Sequence, residues 1–182
     1  TPFFPIPIQT TEEALLLFDM LHNELILVKQ NTGELLWRQP VEGVPTGPPL
    51  IEQGLIYLCT EGNHLYKISP ETGRISGQLT FSQPLVPPVN SLADSPYLLG
   101  LGDEELAYTI SINPFKCETI TEIGHKPGSV QAPPIRMKNL LLFAENDRAD
   151  SCRLRILTFA PGTPQVVQRG VANTERNRVQ GQ

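Results

Sequence analysis

Doubled prolines recur along this chain at a nearly constant interval, and that interval restricts the fold more than any other feature. Pro48-Pro49 stands in "TGPPLIEQGLIYL", Pro87-Pro88 in "LVPPVNSLADSPYLLGL" and Pro133-Pro134 in "QAPPIRMKNLLLFAE". A looser copy, Pro5-Ile6-Pro7, precedes them in "FPIPIQTTEEALLLFD". The second prolines are separated by 42, 39 and 46 residues. A period in the low forties is the mark of a repeat architecture. Proline has no N–H to give to a ladder and holds the residue before it extended, so a proline pair delivers the chain, already extended, to a new strand. It also denies a neighbouring sheet an edge to pair with, which matters where similar sheets lie in one chain.

Within each period the same order of pieces returns. The first repeat gives "ALLLF", the tip "HNE", "LILVK", the turn "QNTGE" and "LLWRQ"; the second gives "LIYLC", "EGNH", "LYKIS", "PETGR" and "ISGQLTF". The third and fourth read "YLLGL", "DEE", "LAYTISI", "NPFKCE", "TITEI" and "LLLFA", "ENDRADS", "CRLRILTF", "APGTPQ", "VVQR". Each repeat therefore holds about four short strands, and none shows a sustained helical period. Gly33 and Gly73 each follow a threonine where a tight reversal needs φ > 0, and Pro114 and Pro161-Gly162 mark the matching reversals later in the chain.

The expected fold is all-β, a β-propeller of about four blades with four antiparallel strands each. The blades are expected at 1–47, 48–86, 87–132 and 133–170, with 171–182 either the start of a fifth or a C-terminal tail. Residues 170–182 align without a gap on 43–55, placing Gly170 on Gly43, Val171 on Val44 and Gly181 on Gly54. The expectation is thus part of a larger ring, completed by further blades of the same protein or by self-association, since an open end would expose apolar surface. A closed four-bladed ring is the alternative.

Composition supports β structure and narrows the partners. The chain has 18 prolines and 14 glycines in 182 residues and only 18% charged residues, which gives many turns and few solvated helix faces. A net charge of −5 and a pI near 5.2 speak against a nucleic-acid surface. No apolar run is long enough to span a bilayer, and no charged-then-apolar leader is read at the start. The three cysteines, Cys59, Cys117 and Cys152, are too far apart and too few for a disulfide framework or zinc site, so buried strand thiols are expected.

"VKQNTGELLW" at 28–37 and "KISPETGRI" at 67–75 resemble the quinoprotein-type, or PQQ-like, propeller repeat. Its blades typically read as an apolar strand, "lyalD", two variable residues, "tG", then a strand carrying a tryptophan. Thr32, Gly33 and Trp37 match in the first repeat; Thr72 and Gly73 match in the second, where Gly77 takes the tryptophan position. Lys29 and Ser69 replace the family aspartate, and the third repeat keeps neither glycine nor tryptophan. The resemblance implies a ring of six to eight blades, and it implies that Trp37 packs between blades. Quinoprotein dehydrogenases of this kind commonly carry vicinal cysteines over the cofactor, and this chain has none.

Other candidate chemistry is thin. His22 and His64 sit at similar hairpin tips and His125 in the loop "IGHKPG"; without other ligands at metal spacing they read as solvated turn histidines. Carboxylates gather at Glu12-Glu13, at Asp103-Glu104-Glu105 and in "ENDRAD", where Arg148 interrupts Glu145, Asp147 and Asp150. They read as solvated tips rather than a shielded acid–base pair, and "ENDRAD" lacks the glycine and distal glutamate of a calcium loop. Trp37, Tyr57, Tyr66, Tyr97 and Tyr108 read as packing rather than a stacking surface. No catalytic, cofactor-binding or metal residue is assigned, no cofactor is expected, and the chain is read as not an enzyme.

The expected role is a non-catalytic protein-binding scaffold in a larger, exported bacterial protein, located in the periplasm or cell envelope. Part of a PQQ dehydrogenase, or a propeller sensor ectodomain of a signalling protein, are the alternatives. A protein partner is expected, with no nucleic acid and no transmembrane segment.

Overall fold

The computed structural model describes residues 6–10, 13–92, 95–148, 151–160 and 163–175. Sixteen strands and no helix occur among them. The chain divides into two compact units, Thr1–Val89 and Asn90–Gln182. Pro5, Glu12, Asp150, Pro161, Gly162 and the segment carrying Gly181 lie outside the described residues.

The strands form four antiparallel sheets of four, each a meander in chain order. The first holds β1 (Ile6–Thr10), β2 (Ala14–Asp19), β3 (Glu24–Lys29) and β4 (Leu35–Pro40). The second holds β5 (Leu50–Glu52), β6 (Leu55–Thr60), β7 (His64–Ile68) and β8 (Ile75–Thr80). The third holds β9 (Leu85–Ser91), β10 (Tyr97–Gly102), β11 (Leu106–Ser111) and β12 (Lys116–Glu122). The fourth holds β13 (Ile135–Met137), β14 (Leu140–Arg148), β15 (Ser151–Phe159) and β16 (Val166–Glu175). These are the four propeller blades expected from the repeat.

Strand character follows position in the sheet. The middle strands β6, β10 and β11 are buried at five successive residues each, whereas the last strands β4 and β8 alternate buried or half-buried with exposed. A strand covered on both faces needs a continuous apolar run, and "LIYLC" and "YLLGL" supply one. A strand with one wet face needs alternation.

The two Thr-Gly reversals are the same structure. Gly33 and Gly73 have φ of +70° and +72°. Gly33 N–H donates to Lys29 O at 2.9 Å and Gly73 N–H to Ser69 O at 2.8 Å. The threonine hydroxyl accepts the N–H two residues on: Glu34 N–H donates to Thr32 Oγ1 and Arg74 N–H to Thr72 Oγ1, each at 3.3 Å. A left-handed backbone with a local hydroxyl acceptor is what the T-G pair provides.

Trp37 packs between blades, as the resemblance implies. Its Nε1 donates to Pro70 O in the second blade's turn at 2.6 Å, and a Cβ on Gly73 would stand 2.6 Å from the ring. Trp37 joins Leu16, Phe18, Leu25, Ile56, Leu58, Tyr66 and Ile68 in one buried cluster that unites the first two sheets. Each such fully buried apolar side chain contributes about 1.5–3 kcal/mol.

The third blade docks on the fourth by other residues at corresponding positions. Every blade carries a register shift between its third and fourth strands, after Leu27, Lys67, Thr109 and Ile156. Counted from that shift, Trp37 opposite Leu27 corresponds to Thr119 opposite Thr109. Both threonine hydroxyls donate to Pro164 O in the fourth blade's turn, at 2.7 Å from Thr109 and 3.0 Å from Thr119. The third blade lacks the tryptophan but keeps a donor aimed at the next blade's turn.

A further recurrence ties the hairpin tips of the first three blades to the chain leaving each of them. Asn23, Asn63 and Glu105 adopt positive φ at the tips after the second strand. Their carbonyls accept the N–H of Val41, Phe81 and Ile123, each eighteen residues further on.

Some boundaries differ from the sequence expectation. Pro48-Pro49 and Pro133-Pro134 precede β5 and β13, but Pro87-Pro88 lies inside β9. The strand is at the edge of its sheet, where a residue without an N–H is tolerated. Strand β16 continues past residue 170 to Glu175 because the long hairpin partner β15 pairs with it out to Ser151. Residues 171–175 thus belong to the fourth sheet.

Candidate functional site

In the first unit three segments meet along one rim: the tip 19–24 of the first blade, the connector 41–46, and the tip 60–64 of the second blade. Val41 N–H donates to Asn23 O at 3.0 Å, joining connector to first tip. Glu42 N–H donates to the Tyr66 hydroxyl at 3.1 Å, and the Thr60 hydroxyl donates to Glu42 O at 2.7 Å. Glu61 N–H donates to Val44 O at 2.8 Å and Thr46 N–H to Cys59 O at 3.1 Å. A Cβ on Gly43 would lie 2.3 Å from Glu61 O, so only glycine allows this approach.

The first tip turns on Asp19. Its Oδ1 accepts the N–H of Leu21 at 2.9 Å and of His22 at 3.4 Å, and its Oδ2 accepts from His22 Nδ1 at 2.6 Å. Desolvation alone would raise the Asp19 carboxyl, but these hydrogen bonds and the His22 charge outweigh it and hold the group below its ordinary range. With the backbone held this way, Met20 and Leu21 point outward and are 55% and 75% exposed.

The second unit carries a buried ion pair where the sequence suggested a solvated tip. Glu145 is fully buried and Arg155 nearly so. Arg155 Nε donates to Glu145 Oε2 at 2.8 Å, its Nη1 to Ile123 O at 2.6 Å and its Nη2 to Gly124 O at 2.9 Å. Glu145 Oε1 accepts the N–H of Lys126 at 3.0 Å. Burial would raise the Glu145 carboxyl, yet the bonds from Arg155 and Lys126 and the nearby charges of Arg155 and Arg153 hold it below the usual carboxylate range. The pair clamps the connector leaving the third blade onto the fourth. Glu145 is not at a tip because the β14–β15 hairpin is longer than its counterparts, which moves the tip outward and leaves Glu145 within a strand. The signal was present in "CRLRIL", where Arg153 and Arg155 share one face of an alternating strand.

His125, also expected to be solvated, is fully buried in the same connector. Its Nε2–H donates to Gly102 O at 2.7 Å, its ring stands edge-on to Phe143 at 5.8 Å, and Nδ1 has no hydrogen-bond partner. Burial pushes its pKa down, against the opposing effects of the Gly102 bond and the Glu145 charge, so it is held neutral. The other histidines are engaged locally: His22 by Asp19, and His64 by Thr80 Oγ1 at 3.0 Å and Glu42 at 3.5 Å. Glu13 lies exposed before β2, Asp103 and Glu104 lie at the third tip, and Asp147 and Arg148 end β14. Among the described residues no three His, Cys, Asp or Glu side chains assemble as a metal site.

All three cysteines are free. Cys59 is buried in β6, and burial pushes its thiol up to about 12. Cys117 is exposed and Cys152 half-buried, which corrects the expectation that all three would be buried: Cys117 stands on the outward face of a last strand. Tyr57, Tyr66 and Tyr108 are fully buried, and Tyr97 packs edge-on against Phe159 at 5.8 Å.

The family model described as outer membrane protein assembly factor BamB matches residues 8–103, just over half of the chain. No curated protein sequence matches it. Among solved structures, BamB from Moraxella catarrhalis is 13% identical with a TM-score of 0.58, over 78% of this chain and 42% of that one. Dihydro-heme d1 dehydrogenase NirN in complex with DHE is 14% identical with a TM-score of 0.70, over 95% of this chain and 38% of that one. The chain thus spans less than half of either structure. Likeness at this identity establishes the propeller fold.

Proposed function

The chain belongs to the family of the outer membrane protein assembly factor BamB, and on that premise we propose that it is a non-catalytic PQQ-like propeller module serving as a protein-binding scaffold outside the cytoplasm. The observation that carries the reading is the first rim. Its two tips and connector are held by backbone and hydroxyl bonds while two large apolar side chains project into water. A rigid rim with apolar projections suits protein contact, because little ordering remains to be done on binding. The titratable groups that could have suggested catalysis are engaged in structure: Glu145 holds Arg155, His22 holds Asp19, and His125 is kept neutral within a packed connector. The likeness to a dehydrogenase is one of fold, and its activity is not carried to this chain.

The test is capture from cell-envelope extract on the immobilised chain, followed by rebinding of each captured protein from purified components. A purified protein that binds stoichiometrically supports the scaffold reading. If none rebinds, or if the chain with PQQ and calcium reduces a dye in a substrate-dependent way, the reading fails.

A further inference from the structure

We propose that the Met20–Leu21 tip is the anchor of this rim, and that it seats in an apolar pocket edged by lysine or arginine on a protein partner. The inference rests on the scaffold reading and names the residues and partner chemistry that would serve it. Three hairpin tips of the same kind provide an internal control. The second reads Glu61-Gly62-Asn63 and the third Asp103-Glu104-Glu105, both polar as solvated turns normally are. The first alone places two bulky apolar residues in water. The Asp19 carboxylate, buried and bonded to the N–H groups of Leu21 and His22, fixes the backbone that presents them. A methionine and a leucine already fixed in water lose little freedom on binding, and methionine is enriched at protein interfaces.

Charge around the tip selects the partner. The segments 19–24, 41–46 and 60–64 contain no lysine or arginine; of their acidic residues Asp19 is buried against His22 and Glu24 pairs with Arg38 at 3.5 Å, which leaves Glu42, 3.5 Å from His64, and Glu61 as the exposed carboxylates. The Glu42 side chain is 79% exposed. Two exposed glutamates on a rim without lysine or arginine disfavour anionic lipid headgroups and favour a basic protein surface.

The probe is a phage-displayed library of random dodecapeptides, selected on the full chain. Enrichment of peptides that combine large apolar residues with lysine or arginine is expected. Their binding should weaken by about tenfold or more in Leu21→Asp, weaken in Glu42→Lys, and persist in Leu21→Ile and Met137→Asp. Because Leu21 is exposed, an unchanged melting curve of Leu21→Asp separates lost contact from lost folding. Peptides that bind Leu21→Asp as well as the unmodified chain overturn the anchor but leave the scaffold reading standing. Failure to enrich any basic-apolar peptide also overturns the anchor, and the scaffold reading falls with it only if envelope capture fails as well. Binding to vesicles of phosphatidylglycerol and phosphatidylethanolamine that Leu21→Asp abolishes would assign the tip to a membrane and sink the proposal.

Discussion

In the first unit the connector between blades is held by the hydroxyls of Thr60 and Tyr66; in the second it is held by the charged groups of Glu145 and Arg155. These are the same places in the blade. Tyr66 pairs with Leu58, and Thr60 lies two residues further along β6. Arg155 pairs with Phe143, and Glu145 lies two residues further along β14. One backbone position thus needs a group that bonds the connector, and the blade supplies either neutral hydroxyls or a buried ion pair. The difference lies in what happens when one member is lost. A hydroxyl removed leaves a polar group that water can reach or replace, whereas a charge removed leaves its opposite buried and unpaired.

The sharpest way to break this comparison is Arg155→Met. It leaves Glu145 buried without its main partner and deprives the Ile123 and Gly124 carbonyls of donors, so a loss of about 3–5 kcal/mol is expected. Adding Glu145→Leu should recover only part of it, because those carbonyls and the Lys126 N–H stay unsatisfied. Denaturant unfolding with amide exchange on β14 and β15 measures both. A single variant within about 1 kcal/mol of the unmodified protein would show that the pair is not needed for the clamp.

Next in size is a contrast between two glycines that look identical in sequence. Gly33 and Gly73 share turn and φ, but a Cβ at Gly33 meets nothing within 4 Å while one at Gly73 enters the Trp37 ring. Gly33→Val should cost about 1–3 kcal/mol of backbone strain alone. Gly73→Val adds an overpacking cost of about 1–3 kcal/mol and displaces Trp37. Tryptophan fluorescence should therefore shift in Gly73→Val and not in Gly33→Val; equal melting curves for the two would remove the docking role assigned to Trp37.

Acid should separate the two connectors by less. Folded His125 resists protonation, while in the unfolded chain it takes up a proton near the ordinary histidine value of about 6.5. The unfolded state then binds more protons as pH falls through that region, so stability declines on acidification, by no more than about 1.4 kcal/mol per pH unit for one group. Glu145, whose folded pKa is depressed, adds a second loss as pH falls through the ordinary carboxylate range and below. His125→Gln keeps a donor for Gly102 O and should flatten the decline between about pH 7 and 5.5. Exchange at β6 and β7, held by hydroxyls, should change little over the same range.

How much of this was legible depended on whether local chemistry or tertiary register wrote it. The proline period and the T-G turns are local: one sets extended backbone and the other left-handed backbone, so Gly33, Gly73 and the four-strand blades were readable directly. Trp37 was readable because its turn partner recurs as a motif. Thr109 and Thr119, which do the corresponding work in the third blade, are ordinary strand residues until the register shift aligns them with Leu27 and Trp37. His125 and Glu145 depart from the expectation of solvated groups for one shared reason. Polar residues in a loop-like or charged stretch suggest water, and only strand length and the arrival of Arg155 from β15 bury them. The Met20–Leu21 projection was equally hidden, since "FDMLHNE" reads as strand running into tip until Asp19 turns the chain.

The smallest expected effect tests the neutral side of the comparison. Tyr66→Phe removes the acceptor for Glu42 N–H but keeps the ring in the first unit's apolar cluster, so only the hydrogen bond is lost. Such a deletion costs about 0.5–1.5 kcal/mol. Thr60→Val removes the donor to Glu42 O, and the two losses should be less than additive, because both bonds hold one residue of one connector. The double variant should loosen the 41–46 segment, seen as faster exchange at Glu42 and Thr46, while β6 and β7 stay protected. A double variant as damaging as Arg155→Met would mean that the hydroxyl pair is as deeply committed as the ion pair, and the two blade pairs would then differ in chemistry without differing in consequence.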